Sequence, residues 1–163
     1  MDIIVRGFTT KDLTSMTEIW NCVVEDGIAF PQEEKLNIEN GLALFAGQSF
    51  TGVAEDKDTG EILGLYILHP NSMGRCSHIS NASFAVKKEC RGLHIGEKLV
   101  LHCLEKAKEL GFRIIQFNAV VSTNHGAIHL YEKLGFVRLG TIPKGFLMKN
   151  GSYEDIVLFY KTL

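Results

Sequence analysis

Val86-Lys87-Lys88-Glu89-Cys90-Arg91-Gly92-Leu93-His94-Ile95-Gly96 joins an apolar strand pattern to an amphipathic helix pattern. The first turn of a helix has backbone N–H groups without partners. With the helix dipole they form a site for an anion. Gly92 and Gly96 let that backbone approach a phosphate, and Lys87, Lys88 and Arg91 bring positive charge beside it. Diphosphate recognition is one reading of the turn. A plain strand-to-helix connection, with glycines for geometry and lysines for solubility, is the other. No Gly-Lys-Ser/Thr follows and G-x-G-x-x-G does not fit, so neither a P-loop nor a dinucleotide fingerprint is present.

Elements alternate on both sides of this turn. Upstream, residues 78–86 read as a long strand. Downstream, Leu99, Val100, Cys103, Leu104, Ala107 and Leu110 recur at helical spacing over 96–110, with Gly111 as the stop. Residues 113–121 form an apolar strand pattern, 124–134 a short helix closed by Gly135, and 136–141 and 153–161 two more strands. Toward the N-terminus, residues 3–7 read as a strand and 11–25 as a helix carrying Leu13, Met16, Ile19, Trp20 and Val23. Pro31 suits the first turn of a second helix with Leu36, Leu42 and Phe45 inward and Gly47 at its end. Strands at 50–55 and 61–68 flank the hairpin turn Asp56-Lys57-Asp58-Thr59-Gly60. The order β-α-α-β-β-β-α-β-α-β-β predicts an α/β fold, a mixed sheet with helices on both faces.

Composition narrows the class. The chain has 163 residues, 45% hydrophobic and 22% charged, as expected of one domain over residues 1–163. No apolar run approaches the ~20 residues of a membrane helix. MDIIVRGFTT has no basic leader before an apolar stretch, so no signal peptide is expected. A net charge of −2 and the lack of an aromatic-basic stripe argue against nucleic acid as a partner. Cys22, Cys76, Cys90 and Cys103 show no disulfide-like or zinc-like spacing, which predicts reduced thiols in a cytoplasm. Cys90 with His94 as a nucleophile pair, or His102 with Cys103 as zinc ligands, lack a recognised spacing, so no metal is expected.

A second constellation follows the 113–121 strand: Asn124, Ala127, Tyr131, Lys133, Gly135 and Phe136. Singly these are a helix N-cap, a core tyrosine and a C-cap. Paired with Arg91-Gly92-Leu93-His94-Ile95-Gly96, in this order and with a helix and a strand between, they resemble the two signature motifs of the GNAT superfamily of acyl-CoA N-acyltransferases. The element order resembles that fold over essentially the whole chain. The segments 77–86, Phe117-Asn118, Gly140-Thr141-Ile142-Pro143-Lys144 and Tyr153-Glu154-Asp155 resemble a subgroup that includes the fungal acetyltransferases of azetidine-2-carboxylate and related proline analogues.

The resemblance implies a mostly antiparallel sheet in which two parallel strands splay apart, with the acetyl-CoA arm in the gap. It implies that backbone groups of Phe84, Ala85 and Val86 pair with the arm and that residues Arg91, Gly92, Leu93, His94, Ile95 and Gly96 hold the pyrophosphate. It further implies that Asn124 and Ala127 line the cofactor site and that Tyr131 is the general acid for the leaving thiolate. His94 stands where the family usually has a glycine; a helix-start conformation there would tolerate it. The implied reaction is direct acetyl transfer to a small-molecule amine, such as an amino acid or analogue. A protein N-terminus or lysine as acceptor, and an acyl-CoA-binding module without turnover, are the alternatives. Many members of that family form dimers, so a homodimer is one implied state.

Several residues keep two readings. Asn81 and Asn118 are polar within apolar strands, either a satisfied amide pair bridging neighbouring strands or a recognition site for an acceptor carboxylate. His78, at a strand's outer end, reads as a surface histidine before it reads as a base. Glu25 or Asp26 could face a cationic acceptor or simply solvent. No carboxylate lies on the 78–86 strand, so the amine is expected to lose its proton through water.

Overall fold

The computed structural model describes residues 1–163. Seven strands, β1 (Ile3–Gly7), β2 (Phe50–Asp56), β3 (Ile62–Pro70), β4 (Ile79–Val86), β5 (Ile114–Val121), β6 (Val137–Leu147) and β7 (Tyr153–Thr162), make one sheet in the order β1-β2-β3-β4-β5-β7-β6. Four helices, α1 (Leu13–Asp26), α2 (Ile38–Ala46), α3 (Ile95–Glu109) and α4 (His125–Lys133), cover it. No helix is long and apolar enough to cross a membrane.

The sheet is built by period-two alternation. Leu65 and Ile67 of β3 enter one core with Met16, Trp20 and Phe45 from α1 and α2, while Tyr66 and Leu68 enter the other with Leu99, Val100 and Cys103 of α3. Met16 and Trp20 are fully buried, each contributing on the order of 2–3 kcal/mol. The α1 stripe ends at Gly27, whose left-handed φ of 62° closes the helix. Leu110, predicted to face inward, is instead exposed at the C-cap of α3.

The second helix starts later than the sequence suggests. Pro31 does not open it; Asn37 does, its side chain accepting from the Asn40 N–H at 2.9 Å. Asn21 holds Leu36 of the intervening chain, donating to its carbonyl at 2.8 Å and accepting from its N–H at 2.7 Å. This strand-like pair of bonds pre-empts a helix and leaves Phe30 and Pro31 free for another use. β6 likewise runs past its predicted end. Pro143 and Gly145 read as loop signals, but a bulge at residues 142–146 absorbs them, with the Lys144 N–H bound to Asp155 at 2.9 Å.

All strand pairs are antiparallel except β4 with β5. That parallel ladder is only Ile79 opposite Ile114 and Ser80 opposite Ile115, after which the strands part. A V-shaped opening therefore lies in the middle of the sheet, with the ends of β4 and β5 as its arms.

Candidate active site

The opening leaves one edge of β4 without a partner. The Lys87 N–H donates to the Leu63 carbonyl at 2.8 Å, so that position bonds toward β3. By alternation Ala85 and Ser83 also bond toward β3, and the N–H and C=O groups of Phe84 and Val86 face the opening. Phe84 and Val86 thus offer strand-edge hydrogen bonds to a guest. Ala85 does not, contrary to the sequence reading: its backbone is opposite Leu65 and its side chain is buried in the α1-side core.

Beyond β4 the chain makes one 3-10 turn at Lys88–Cys90 and then two left-handed residues, Gly92 at φ 83° and His94 at φ 61°. The expected helix-start conformation at His94 is not found. His94 precedes α3 in the left-handed region, which costs an L-residue ~1–2 kcal/mol. Histidine is among the residues enriched there, and buried Ile95 anchors the turn. The His94 ring points to solvent, 3.7 Å from Glu97. A cavity of about 490 Å³ lies against this turn, lined by Arg91, Gly92, His94, Ile95 and Gly96 on one side and Asn124, Ala127 and Tyr131 on the other. Leu93 is exposed and does not line it. Arg91 and Lys88 lie 3.7 and 3.9 Å from Asp26 at the end of α1, so Asp26 faces the cationic loop and not an acceptor.

Asn124 caps α4, its Oδ1 accepting from the Ala127 N–H at 3.3 Å, which leaves its Nδ2 hydrogens for the cavity. Tyr131 is clamped by aromatic rings, with centroids 4.6 Å from Phe117, 5.4 Å from Phe136 and 5.8 Å from Phe159. Its hydroxyl makes no hydrogen bond within the chain. Burial pushes its pKa above the ordinary tyrosine value, with a smaller contribution from Cys103. The phenol therefore stays protonated and is a donor.

A second cavity, of about 240 Å³, occupies the apex of the V. Asn81 and Asn118 line it, with Phe30 and Pro31 on the α1 side. Phe84, Asn124, Ala127 and Tyr131 line both cavities, so the two meet at Tyr131. The Nδ2 groups of Asn118 and Asn81 both donate to Asn71 Oδ1, at 2.7 and 3.2 Å. Thus the amides do bridge neighbouring strands, through a third residue. Sequence reasoning missed Phe30, Pro31 and Asn71. Phe30 and Pro31 were masked by a helix signal, and Asn71, next to Pro70, reads only as a turn residue.

The remaining candidates sit elsewhere. His78 is exposed, with its carbonyl accepting from the Arg113 N–H at 3.0 Å. Glu25 is an exposed partner of Lys35 at 2.8 Å, which lowers its pKa. Cys103 is fully buried in the α3 core, where desolvation raises its pKa, and His102 bonds the Tyr66 hydroxyl at 2.8 Å. No three His, Cys, Asp or Glu side chains are grouped to hold a metal ion.

This geometry has relatives. The family described as "Acetyltransferase (GNAT) family" matches residues 13–136. N-acetyltransferase aca1 of Schizosaccharomyces pombe is 32% identical, the match covering 90% of this chain and 78% of that protein. The structure of a GCN5-related N-acetyltransferase from Kribbella flavida superposes with a TM-score of 0.91 at 32% identity, covering 99% of this chain and 98% of that one. The fold is also that of a phosphinothricin acetyltransferase from Sinorhizobium meliloti in complex with AcCoA, with a TM-score of 0.92 at 23% identity over 100% of this chain and 89% of that one.

Proposed function

Since the chain belongs to the GNAT family of acetyltransferases, we propose that it acts as one domain over residues 1–163 that moves an acetyl group from acetyl-CoA to the amine of a small carboxylate-bearing molecule, an amino acid or an analogue. One observation carries this reading. Tyr131 stands where the cavity against the α3 turn meets the cavity lined by Asn81 and Asn118. A phenol there can reach a bond shared by two substrates that enter from opposite sides.

The residues fit a pantetheine-diphosphate guest. Phe84 and Val86 pair with its amide arm as an added strand would, and the Asn124 Nδ2 donates to it. The N–H groups of the α3 first turn, with Gly92 and His94, receive the pyrophosphate, and Arg91 adds charge. Acetyl-CoA supplies the thioester carbonyl that the neutral amine attacks directly. Holding both partners in one cleft supplies much of the acceleration. Tyr131 gives its proton to the departing thiolate sulfur and regains one from solvent. Asn81 and Asn118 donate to the acceptor carboxylate. No carboxylate or imidazole lines the inner cavity, so the amine proton leaves through water.

A protein or peptide amine as acceptor has one feature in its favour. An outer groove of about 620 Å³ between residues 25–35 and 145–151 shares Phe30 and Pro31 with the acceptor cavity. A panel of amino acids, their descarboxy amines and short peptides separates the two acceptors. Four unpaired thiols support a reducing compartment, the cytoplasm. The outer strand β6, with Val137, Leu139 and Ile142 exposed, supports a homodimer through its free edge; light scattering reads the mass.

Calorimetric titration tests the cofactor reading. Saturable binding of acetyl-CoA, with none of ATP or NAD, is expected. Absence of acetyl-CoA binding overturns it.

A further inference from the structure

We propose that Asn71 is a positioning residue that orients the amides of Asn81 and Asn118 so that their N–H groups receive the acceptor's carboxylate; this rests on the acetyl-transfer reading above. Asn71 follows β3, and its backbone N–H donates to the Ile79 carbonyl at 2.8 Å, fixing it beside the start of β4. It does not line the acceptor cavity but is bonded to the two asparagines that do. Its Oδ1 accepts from both of them, at 2.7 Å from Asn118 Nδ2 and 3.2 Å from Asn81 Nδ2.

A primary amide has one carbonyl oxygen and two N–H donors. Every oxygen in this cluster accepts at least one bond from a protein donor. Asn71 Oδ1 accepts twice, Asn81 Oδ1 accepts from the Ala82 N–H at 2.8 Å, and Asn118 Oδ1 accepts from Gln116 Nε2 at 2.9 Å. The hydrogens left over are one each on Asn81 and Asn118, and two on Asn71. With each oxygen bonded to a protein donor, the cluster presents N–H hydrogens to an anionic group more readily than oxygen to a cationic one. Asn71 supplies one of the two bonds that fix each amide, and an amide that loses it rotates more easily to turn its oxygen toward the acceptor, which repels a carboxylate. Asn71 thus sets the polarity of the pocket without touching the substrate. It also joins β4 to β5 just beyond Ser80 and Ile115, where their ladder stops.

The test is steady-state kinetics on the full chain at saturating acetyl-CoA, with amines paired by a carboxylate: azetidine-2-carboxylate against azetidine, proline against pyrrolidine, alanine against ethylamine. Asn71→Asp keeps an oxygen for both partner amides but adds a negative charge beside them. KM for the carboxylate member is expected to rise by about tenfold or more, with kcat within about threefold, while KM for the descarboxy member stays or falls. Asn71→Leu removes the shared oxygen; KM for the carboxylate member is expected to rise by about tenfold, again without effect on the other. Equal changes on both members of a pair, or no change on either, overturn the proposal. Calorimetric binding of acetyl-CoA to each variant reports its fold, and Asn71→Asp decides the question if Asn71→Leu does not fold. A wild-type protein that acetylates amines with no preference for the carboxylate member overturns the proposal and leaves acetyl transfer standing. A wild-type protein that binds no acetyl-CoA overturns both.

Discussion

The two ends of the cleft are made of different materials. The end against α3 is built from backbone: the unpaired edge of Phe84 and Val86, the left-handed Gly92 and His94, and the first turn of a helix. The apex is built from side chains gathered from distant segments: Phe30 and Pro31 after α1, Asn71 after β3, Asn81 on β4 and Asn118 on β5. A backbone site offers the same N–H and C=O groups whatever its side chains, so it suits a guest that never changes. A side-chain site can be altered one residue at a time, so it suits the guest that differs between relatives. Tyr131 stands at the seam, and a change there should disturb both ends at once.

That makes Tyr131→Phe the largest expected effect. Loss of a general acid lowers kcat by roughly 10²–10⁴, while acetyl-CoA affinity measured by calorimetry stays within about threefold, because the ring and its aromatic clamp remain. A module without turnover would have no rate to lose. The pH dependence sharpens the point. As the proposed general acid Tyr131 must be protonated, and burial raises its pKa. A raised pKa moves the loss of the acid to higher pH, so the alkaline fall in kcat/KM lies above the ordinary tyrosine value of about 10. The acid limb is expected to follow the amine, since no carboxylate or imidazole lines the inner cavity. Replacing one acceptor by a less basic one should shift that limb to lower pH by the difference in amine pKa. A limb that stays fixed would reveal a base on the protein.

The same division explains what the sequence made legible. Backbone sites are written in contiguous motifs. Residues 91–96 and 124–136 could therefore be read together; strand alternation around them indicated a mixed sheet, and the resemblance of the two motifs implied the opening between its parallel strands. The conformation of His94 could not be read, because the left-handed backbone there is imposed by the turn against Ile95 and not signalled by a glycine. The acceptor end was only half legible. Asn81 and Asn118 stood out as polar residues in apolar strands, but their hub did not, since an asparagine after a proline is an ordinary turn signal. Phe30 and Pro31 were hidden by Asn21, which holds Leu36 in the link between α1 and α2.

Side-chain sites should fail selectively, which gives the middle-sized effect. Asn81→Ala or Asn118→Ala removes a donor to a charged group, worth roughly tenfold or more in acceptor KM. Acetyl-CoA affinity should be unchanged, because neither residue lines the α3 cavity. If either variant weakens acetyl-CoA as much as the acceptor, the cleft has no separate ends, and the contrast between backbone and side-chain construction fails.

Backbone sites should be indifferent to side-chain identity so long as the conformation holds, and His94 offers the finest test. Its φ of 61° and ψ of 19° are ones a glycine adopts without penalty. His94→Gly relieves the left-handed cost of ~1–2 kcal/mol but adds back unfolded-state entropy of roughly 0.5–1 kcal/mol. The net gain in a urea melt should lie between about 0 and 1.5 kcal/mol. The ring is mostly exposed and lies 3.7 Å from Glu97, which Lys133 already neutralises at 3.0 Å, so little else is lost with it. Acetyl-CoA affinity should hold or tighten slightly, since the N–H at position 94 keeps its direction. A loss of affinity greater than about tenfold would mean that the imidazole itself contacts the guest. Recognition of the diphosphate would then belong to a side chain after all.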